Sequence, residues 1–190
     1  MKRTLAIAVL SFAAGALGSR RSEEAPKHYV DTVHGFSLDL PRFDPGHKGD
    51  TVYLGAFYAP KVGGAAANVN VLVEHNGYSV ADYDKITHEG LFSLKKVMNA
   101  RTELEVDGRK ALLFDYEGKQ GEQMLQHLAL AVLDQDRTLV ATCTAPKAQF
   151  AQFEAMFRSC LKSFRLTGTP VPAQPAESRP AGNESRPAGK

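Results

Sequence analysis

Asp44, His47 and Asp50 share one polar stretch, Phe43-Asp44-Pro45-Gly46-His47-Lys48-Gly49-Asp50. Oxygen and imidazole ligands at three-residue steps converge on a divalent ion if such a loop curls. Lys48 between them works against a concentrated negative site, so a solvated loop is the ordinary outcome. Asp84 and His88 stand four apart in a helical stretch and share a face. Two ligands on one helix can begin a metal site, but no third is identifiable, and an exposed helix pair is the default. His127 lies in an apolar run and points the same way as Leu125 and Ala129. A buried, hydrogen-bonded imidazole is expected there rather than a catalytic base.

Nucleophilic chemistry finds little footing. No Gly-x-Ser-x-Gly turn occurs, and neither Cys143 nor Cys160 has a histidine close in sequence. Both cysteines fall at apolar-face positions, where a thiol stays protonated and inert. Gly63-Gly64 is followed by alanines, with no Gly-Lys-Ser/Thr to cradle a phosphate. No catalytic, cofactor-binding or metal-ligating residue is therefore assigned, and no cofactor is implied. A disulfide between Cys143 and Cys160 is disfavoured on geometry. A helix starting about three residues after Cys143 would carry Cys160 roughly 20 Å along its axis and leave Phe150 nearer. Two buried thiols are expected.

The elements that must position these residues follow from the apolar period. Phe36, Leu38 and Leu40 alternate with Ser37 and Asp39 and stop at Pro41, which reads as a half-buried strand. Val52, Leu54, Ala56 and Tyr58 repeat that period, and Val69, Val71 and Val73 form the return strand after the glycine-alanine connection. Ser79 reads as an N-cap with Asp82 three residues on. Val80, Tyr83, Ile86, Leu91, Leu94 and Met98 then predict an amphipathic helix over 80–98, which Gly90 weakens slightly. Four strands are predicted at about 101–106, 109–117, 123–133 and 137–144, the first two joined at Asp107-Gly108. The third, through Leu128-Ala129-Leu130-Ala131-Val132-Leu133, is apolar on both faces and belongs in mid-sheet. A last helix, opened by Thr144 and Pro146, turns Phe150, Phe153, Phe157, Cys160, Leu161 and Phe164 inward. The pattern predicts an α+β domain: a largely antiparallel sheet flanked by helices on both faces, an α/β/α sandwich.

The ends are of another kind. Lys2 and Arg3 precede an apolar run from Leu5 to Leu17, and Ala16-Leu17-Gly18 supplies small residues before Ser19. The run is about thirteen residues, short of the roughly twenty a spanning helix needs. A secretory signal over 1–18 is expected, then a flexible segment over 19–27, with no membrane insertion once the signal is removed. Thr167 to Lys190 holds five of the ten prolines and repeats Glu-Ser-Arg-Pro-Ala-Gly at 177–182 and 184–189. Such a segment has no apolar face to bury and reads as a disordered tail. Asn183-Glu184-Ser185 matches a glycosylation sequon, which matters in a eukaryotic secretory pathway alone. The formal charge of +2 comes from Lys2 and Arg3, because residues 1–18 hold no acid. The remainder is neutral and carries no basic block in its folded region, which excludes a nucleic-acid footprint.

The order of elements over 28–166 resembles the PsbP-like fold of photosystem II extrinsic proteins and bacterial DcrB-like exported proteins. The matching residues are His28-Tyr29 leading to Gly35-Phe36-Ser37-Leu38-Asp39-Leu40-Pro41, then Val106-Asp107-Gly108-Arg109-Lys110-Ala111. Leu139-Val140-Ala141-Thr142-Cys143-Thr144-Ala145 and the helix ending at Ser163-Phe164 resemble the family's closing strand and helix. The family's frequent tryptophan after the Leu-Pro turn is missing, with Phe43 nearby. The resemblance implies an accessory or partner-binding role without catalysis, and no family catalytic set exists to carry over. Three functions are weighed on these grounds. A non-catalytic exported interaction module with a protein partner in the cell envelope leads, binding through 43–50, 59–67, 117–122 or one sheet edge. A small-ligand or divalent-metal module resting on Asp44, His47 and Asp50 comes second. An uncharacterised envelope hydrolase comes last, and would require a deep cleft with converging titratable groups.

Overall fold

A computed structural model describes residues 27–41, 44–45, 53–58 and 67–168, with side chains for 27–41 and 67–168. The segments at 1–26 and 169–190, with the sequon and the repeated tail, lie outside the described residues, as do His47, Asp50 and 59–66.

Among the described residues ten strands and two α-helices succeed one another: β1 Lys27–Asp31, β2 Phe36–Leu40, β3 Asp44–Pro45, β4 Tyr53–Tyr58, β5 Asn68–His75, α1 Val80–Ser93, β6 Val97–Val106, β7 Arg109–Gln120, β8 Gln123–Asp134, β9 Arg137–Pro146, α2 Phe150–Lys162 and β10 Arg165–Leu166. Seven strands form one antiparallel sheet in the order β3-β4-β5-β9-β8-β7-β6. Strand β8 lies in mid-sheet, between β9 and β7, as its apolar run predicts. Leu128, Leu130 and Val132 enter the core on one face while Ala129 and Ala131 enter a second core on the other. Burial on both faces explains why that strand reads as continuously apolar. Helix α2 covers the first face with Phe150, Phe157, Cys160 and Leu161, and α1 covers the second with Tyr83 and Leu91. The fold is thus α+β with a helix packed on each sheet face.

Several boundaries differ from the sequence reading, each for a local reason. Strand β2 does not join the large sheet. It pairs with β1 and β10 in a separate three-stranded sheet, and Phe36 stacks on Phe164 at 5.5 Å and 5° in the main core. Helix α1 ends at Ser93 rather than 98, because Lys95 adopts a left-handed φ of 55°. The Lys96 amide donates to the Leu91 carbonyl and the Lys95 amide to the Phe92 carbonyl, the paired bonds of a Schellman stop. Thr144 and Pro146 do not open a helix. They complete β9, a 3-10 turn occupies Lys147–Gln149, and α2 begins at Phe150. Residues 117–122 are the closing end of the β7–β8 hairpin, with Gly121 at φ 58°. The Asp107-Gly108 turn is as expected, both residues having positive φ at 48° and 76°. The Ser79 cap also holds, its Oγ accepting from the Asp82 amide at 3.2 Å.

Candidate functional site

Antiparallel register brings one polar row across the α1 face of the sheet. Tyr116 of β7 lies opposite His127 of β8, His127 opposite Thr144 of β9, and Thr144 opposite Asn68 of β5. The Tyr116 and His127 rings stack at 4.6 Å between centroids, and His127 Nδ1 and Thr144 Oγ1 share a hydrogen bond of 2.9 Å. His127 is 2% exposed, and its Nε2 has no hydrogen-bond partner among the described residues.

Lys96 completes this cluster from the edge of the sheet. The Schellman stop of α1 turns the chain so that residue 96 points back over the sheet while its neighbours point away. Its aliphatic stem then crosses β7 where there is no side chain. A Cβ placed on Gly118 would lie 2.6 Å from Lys96 Cγ, so glycine there is a requirement of the approach. The ammonium sits 5.2 Å from the Tyr116 ring centroid, a cation–π contact, and Nζ is buried without a hydrogen-bond partner among the described residues.

Burial dominates the electrostatics of the cluster. It lowers the Lys96 pKa from 10.5 to about 8, because the charged form has lost water. It lowers His127 to about 3, with the Lys96 charge acting in the same direction. Burial also pushes the Tyr116 hydroxyl above its ordinary range. The imidazole and phenol are therefore both neutral at pH 7 and far from the pKa at which a proton shuttle works well. What the arrangement offers chemically is two buried nitrogens, Lys96 Nζ and His127 Nε2, without a hydrogen-bond partner among the described residues.

The sequence-level candidates are distributed differently. Asp44 stands in β3, opposite Tyr58 of β4, rather than within a curled loop; His47 and Asp50 lie outside the described residues. Asp84 and His88 do pair across one turn at 3.6 Å, but Asp84 Oδ1 also faces Arg101 Nε of β6 at 3.3 Å. That carboxylate therefore pins α1 to the edge strand. His127 is buried and hydrogen-bonded as expected. Cys143 and Cys160 are both free and buried. Burial and hydrogen bonding with Cys160 hold the Cys143 thiol well above its usual range. The placement of Cys160 far from Cys143 is overturned. Lys96, Tyr116, Gly118 and Thr144 were not singled out from sequence as site residues. Gly118 inside a strand was the available signal, since a mid-strand glycine marks a close approach.

A second polar cluster is structural. Arg137 donates to Asp134 through Nε at 3.1 Å and Nη2 at 2.8 Å, Arg109 Nε donates to the other Asp134 oxygen at 2.8 Å, and Arg137 Nη1 donates to the His34 carbonyl. The three-stranded sheet is thereby tied to the β8–β9 turn. Burial opposes charge on Asp134, yet its hydrogen bonds from Arg137 and Arg109 prevail and hold its carboxyl below the usual range.

No family model matches the chain, and no curated protein matches it. Solved structures do match in fold. PsbP (CyanoP) of the cyanobacterium Synechocystis aligns with a TM-score of 0.58 at 14% identity, over 79% of this chain and 98% of that one. PA94 of Pseudomonas aeruginosa, a protein of unknown function, aligns at 0.54 and 16%, over 78% and 100%. LpqN of Mycobacterium tuberculosis, involved in cell envelope biogenesis, aligns at 0.55 and 11%, over 76% and 90%. The fold is PsbP-like. Among the described residues no helix is long and apolar enough to cross a membrane.

Proposed function

We propose that this chain is an exported accessory module that binds a protein partner in the cell envelope and does not itself turn over a substrate. The observation that carries the reading is the turn between α1 and β6. Phe92 is 85% exposed, Val97 60% and Leu94 48%, three large apolar side chains within six residues of one another. Among the described residues the adjoining strand β6 is the sheet's edge, pairing with β7 alone. A register shift between Met98 and Ala100, with Arg101, Glu103 and Glu105 beyond it, guards the rest of that edge against promiscuous strand addition. The contact surface is therefore the apolar knuckle and the start of β6, and its occupant is an apolar segment of another protein. The neutral, sealed state of His127 and Tyr116 supports a binding role over turnover. The leader-like first eighteen residues and the envelope role stated for LpqN support export.

The test compares the tagged wild-type chain with a Phe92→Asp, Val97→Asp variant, both crosslinked in their own cell envelope. One protein recovered with the wild type and lost with the variant is the expected result. Recovery of the same protein by both, or of none by the wild type, refutes the assignment.

A second reading is favoured by these two buried nitrogens: Lys96 Nζ, together with His127 Nε2 when Nδ1 accepts from the Thr144 hydroxyl, would donate to one small acceptor molecule. Titration with acetate and with inorganic phosphate checks it. A rise in melting temperature lost in Lys96→Met supports that reading, and the same response in both proteins removes it.

A further inference from the structure

Cys143 and Cys160 are brought together by a path whose lengths can be followed residue by residue. Beyond Cys143, β9 continues through Thr144, Ala145 and Pro146, about 10 Å at roughly 3.3 Å per residue. The 3-10 turn at Lys147–Gln149 adds about 6 Å. Helix α2 then packs back on β9, and from Phe150 to Cys160 it covers about 15 Å. Outward and return distances nearly cancel, so Cys160 comes level with Cys143 instead of overshooting it. Side-chain direction agrees. Cys143 lies on the sheet face of Ala141 and Ala145, Cys160 on the helix face of Phe157 and Leu161, and all six residues belong to one core. The two thiols are hydrogen-bonding neighbours.

We infer that Cys143 and Cys160 close an intramolecular disulfide when the chain folds in an oxidising compartment, stapling α2 to a central strand. The cellular side of this inference rests on the export reading above; the geometric side does not. The oxidant is a small-molecule disulfide or a thiol–disulfide oxidoreductase. One cysteine thiolate attacks that disulfide, expelling one thiolate and leaving a mixed disulfide. The second cysteine thiolate attacks the protein sulfur and expels the other. Two protein thiols lose two electrons and two protons, and the oxidant's disulfide becomes two thiols. Because Cys143 is 0% exposed and Cys160 3%, neither can attack from the folded, reduced state. Closure belongs to the folding chain, before α2 has docked.

The experiment refolds the full chain from denaturant in a mixture of reduced and oxidised glutathione, alkylates it, and records intact mass and a non-reduced peptide map. The expected product is a monomer lighter by two hydrogens, without alkylation, containing a single peptide pair joined at Cys143 and Cys160. Closing a loop of about 17 residues lowers its unfolding constant on the order of a hundredfold relative to the reduced chain. The same buffer applied to folded protein at its denaturation midpoint gives the answer without a refolding step. Two alkylated thiols, glutathione caps on both cysteines, or a bridge between two copies overturns the inference. A bridge that forms in vitro but is absent from protein recovered from cells leaves the geometry standing and counts against export alone.

Discussion

Replacing Lys96 with methionine should stabilise this protein, and by an amount that depends on pH. The ammonium is buried over Tyr116 with no anion beside it among the described residues, and burial brings its pKa from 10.5 to about 8. At 1.36 kcal/mol per pKa unit this corresponds to roughly 3.4 kcal/mol of penalty on the charged form. The side chain is only partly buried, so solvent screening reduces that to about 1–2 kcal/mol. Losing the cation–π contact costs about 0.5–1 kcal/mol in return. The net gain for Lys96→Met at pH 7 is about 1 kcal/mol, or roughly 0.5 M in the urea midpoint.

The pH dependence follows from the direction of the shift. Between pH 8 and about 10.4 the unfolded chain holds the lysine proton more tightly than the folded one, so wild-type stability rises with pH. In the reduced chain the raised thiol of Cys143 acts oppositely above the ordinary thiol range, since the folded state then retains a proton the unfolded state gives up. The difference between wild type and variant cancels that contribution. It should be largest at and below pH 7 and about three quarters gone by pH 10. Urea unfolding at half-unit steps from pH 7 to 10 measures it. A difference that stays flat across this range, or a variant less stable at pH 7, would show that Nζ is solvated or paired and would refute the reasoning.

Other consequences are as direct. Gly118→Ala should push the Lys96 stem off β7 and abolish the same alkaline rise, seen by repeating the titration in that variant. Lys95→Gly should raise stability by about 0.5–1 kcal/mol in urea, since φ 55° suits glycine and strains lysine. Asp134→Asn should cost about 3–5 kcal/mol by leaving Arg137 buried without its counter-ion, read as a fall in melting temperature. Because the Asp134 pKa is lowered in the folded state, its contribution is complete above about pH 4 and is lost as pH falls through the folded value. The two proteins should therefore converge in strong acid. His127, held to about 3 by burial, should keep a neutral imidazole in nitrogen NMR spectra at pH 5.

What the sequence makes legible is whatever depends on near neighbours. Alternation found β2, β5 and β7, an unbroken apolar run found β8, and the Asp107-Gly108 pair found its turn, because each signal is read within a few residues. The Ser79 cap is legible for the same reason. Strand β1 went unseen: Lys27–Asp31 has little inward apolar pattern, and its partner is β2 in a separate small sheet. The end of α1 was misread because Leu94 and Met98 continue the helical period, while the stop rests on a left-handed lysine rather than a glycine. The candidate site is less legible still. Tyr116, His127, Thr144 and Asn68 meet through registers between four strands, and no spacing along the chain encodes a row that runs across it. The cysteine geometry failed because two further residues of strand and one 3-10 turn delay α2 to Phe150, so the outward path lengthens to about 16 Å and the helical return shortens to match it.

The polarity of one short turn ties the cluster to the proposed docking surface. From Leu91 to Val97 the chain sends Phe92, Leu94 and Val97 into solvent and draws the Lys96 ammonium under cover. Folding of this chain alone favours the reverse, because exposing large apolar groups and burying an unpaired ammonium both cost free energy. Gly118 and the Schellman hydrogen bonds maintain the inverted order, and Lys95 is held left-handed to do so. An arrangement that costs stability at three neighbouring positions is explained when another surface covers the apolar side. The same contact would remove further water from Lys96, placed one residue before Val97. Occupation of the knuckle and the protonation of Lys96 are then opposing equilibria: a partner that covers Phe92 and Val97 should bind more tightly as pH rises from 7 to 9 in the wild type, and without that dependence in Lys96→Met. Equal affinity across that range in the wild type would separate the turn's two faces and remove the explanation for its inversion.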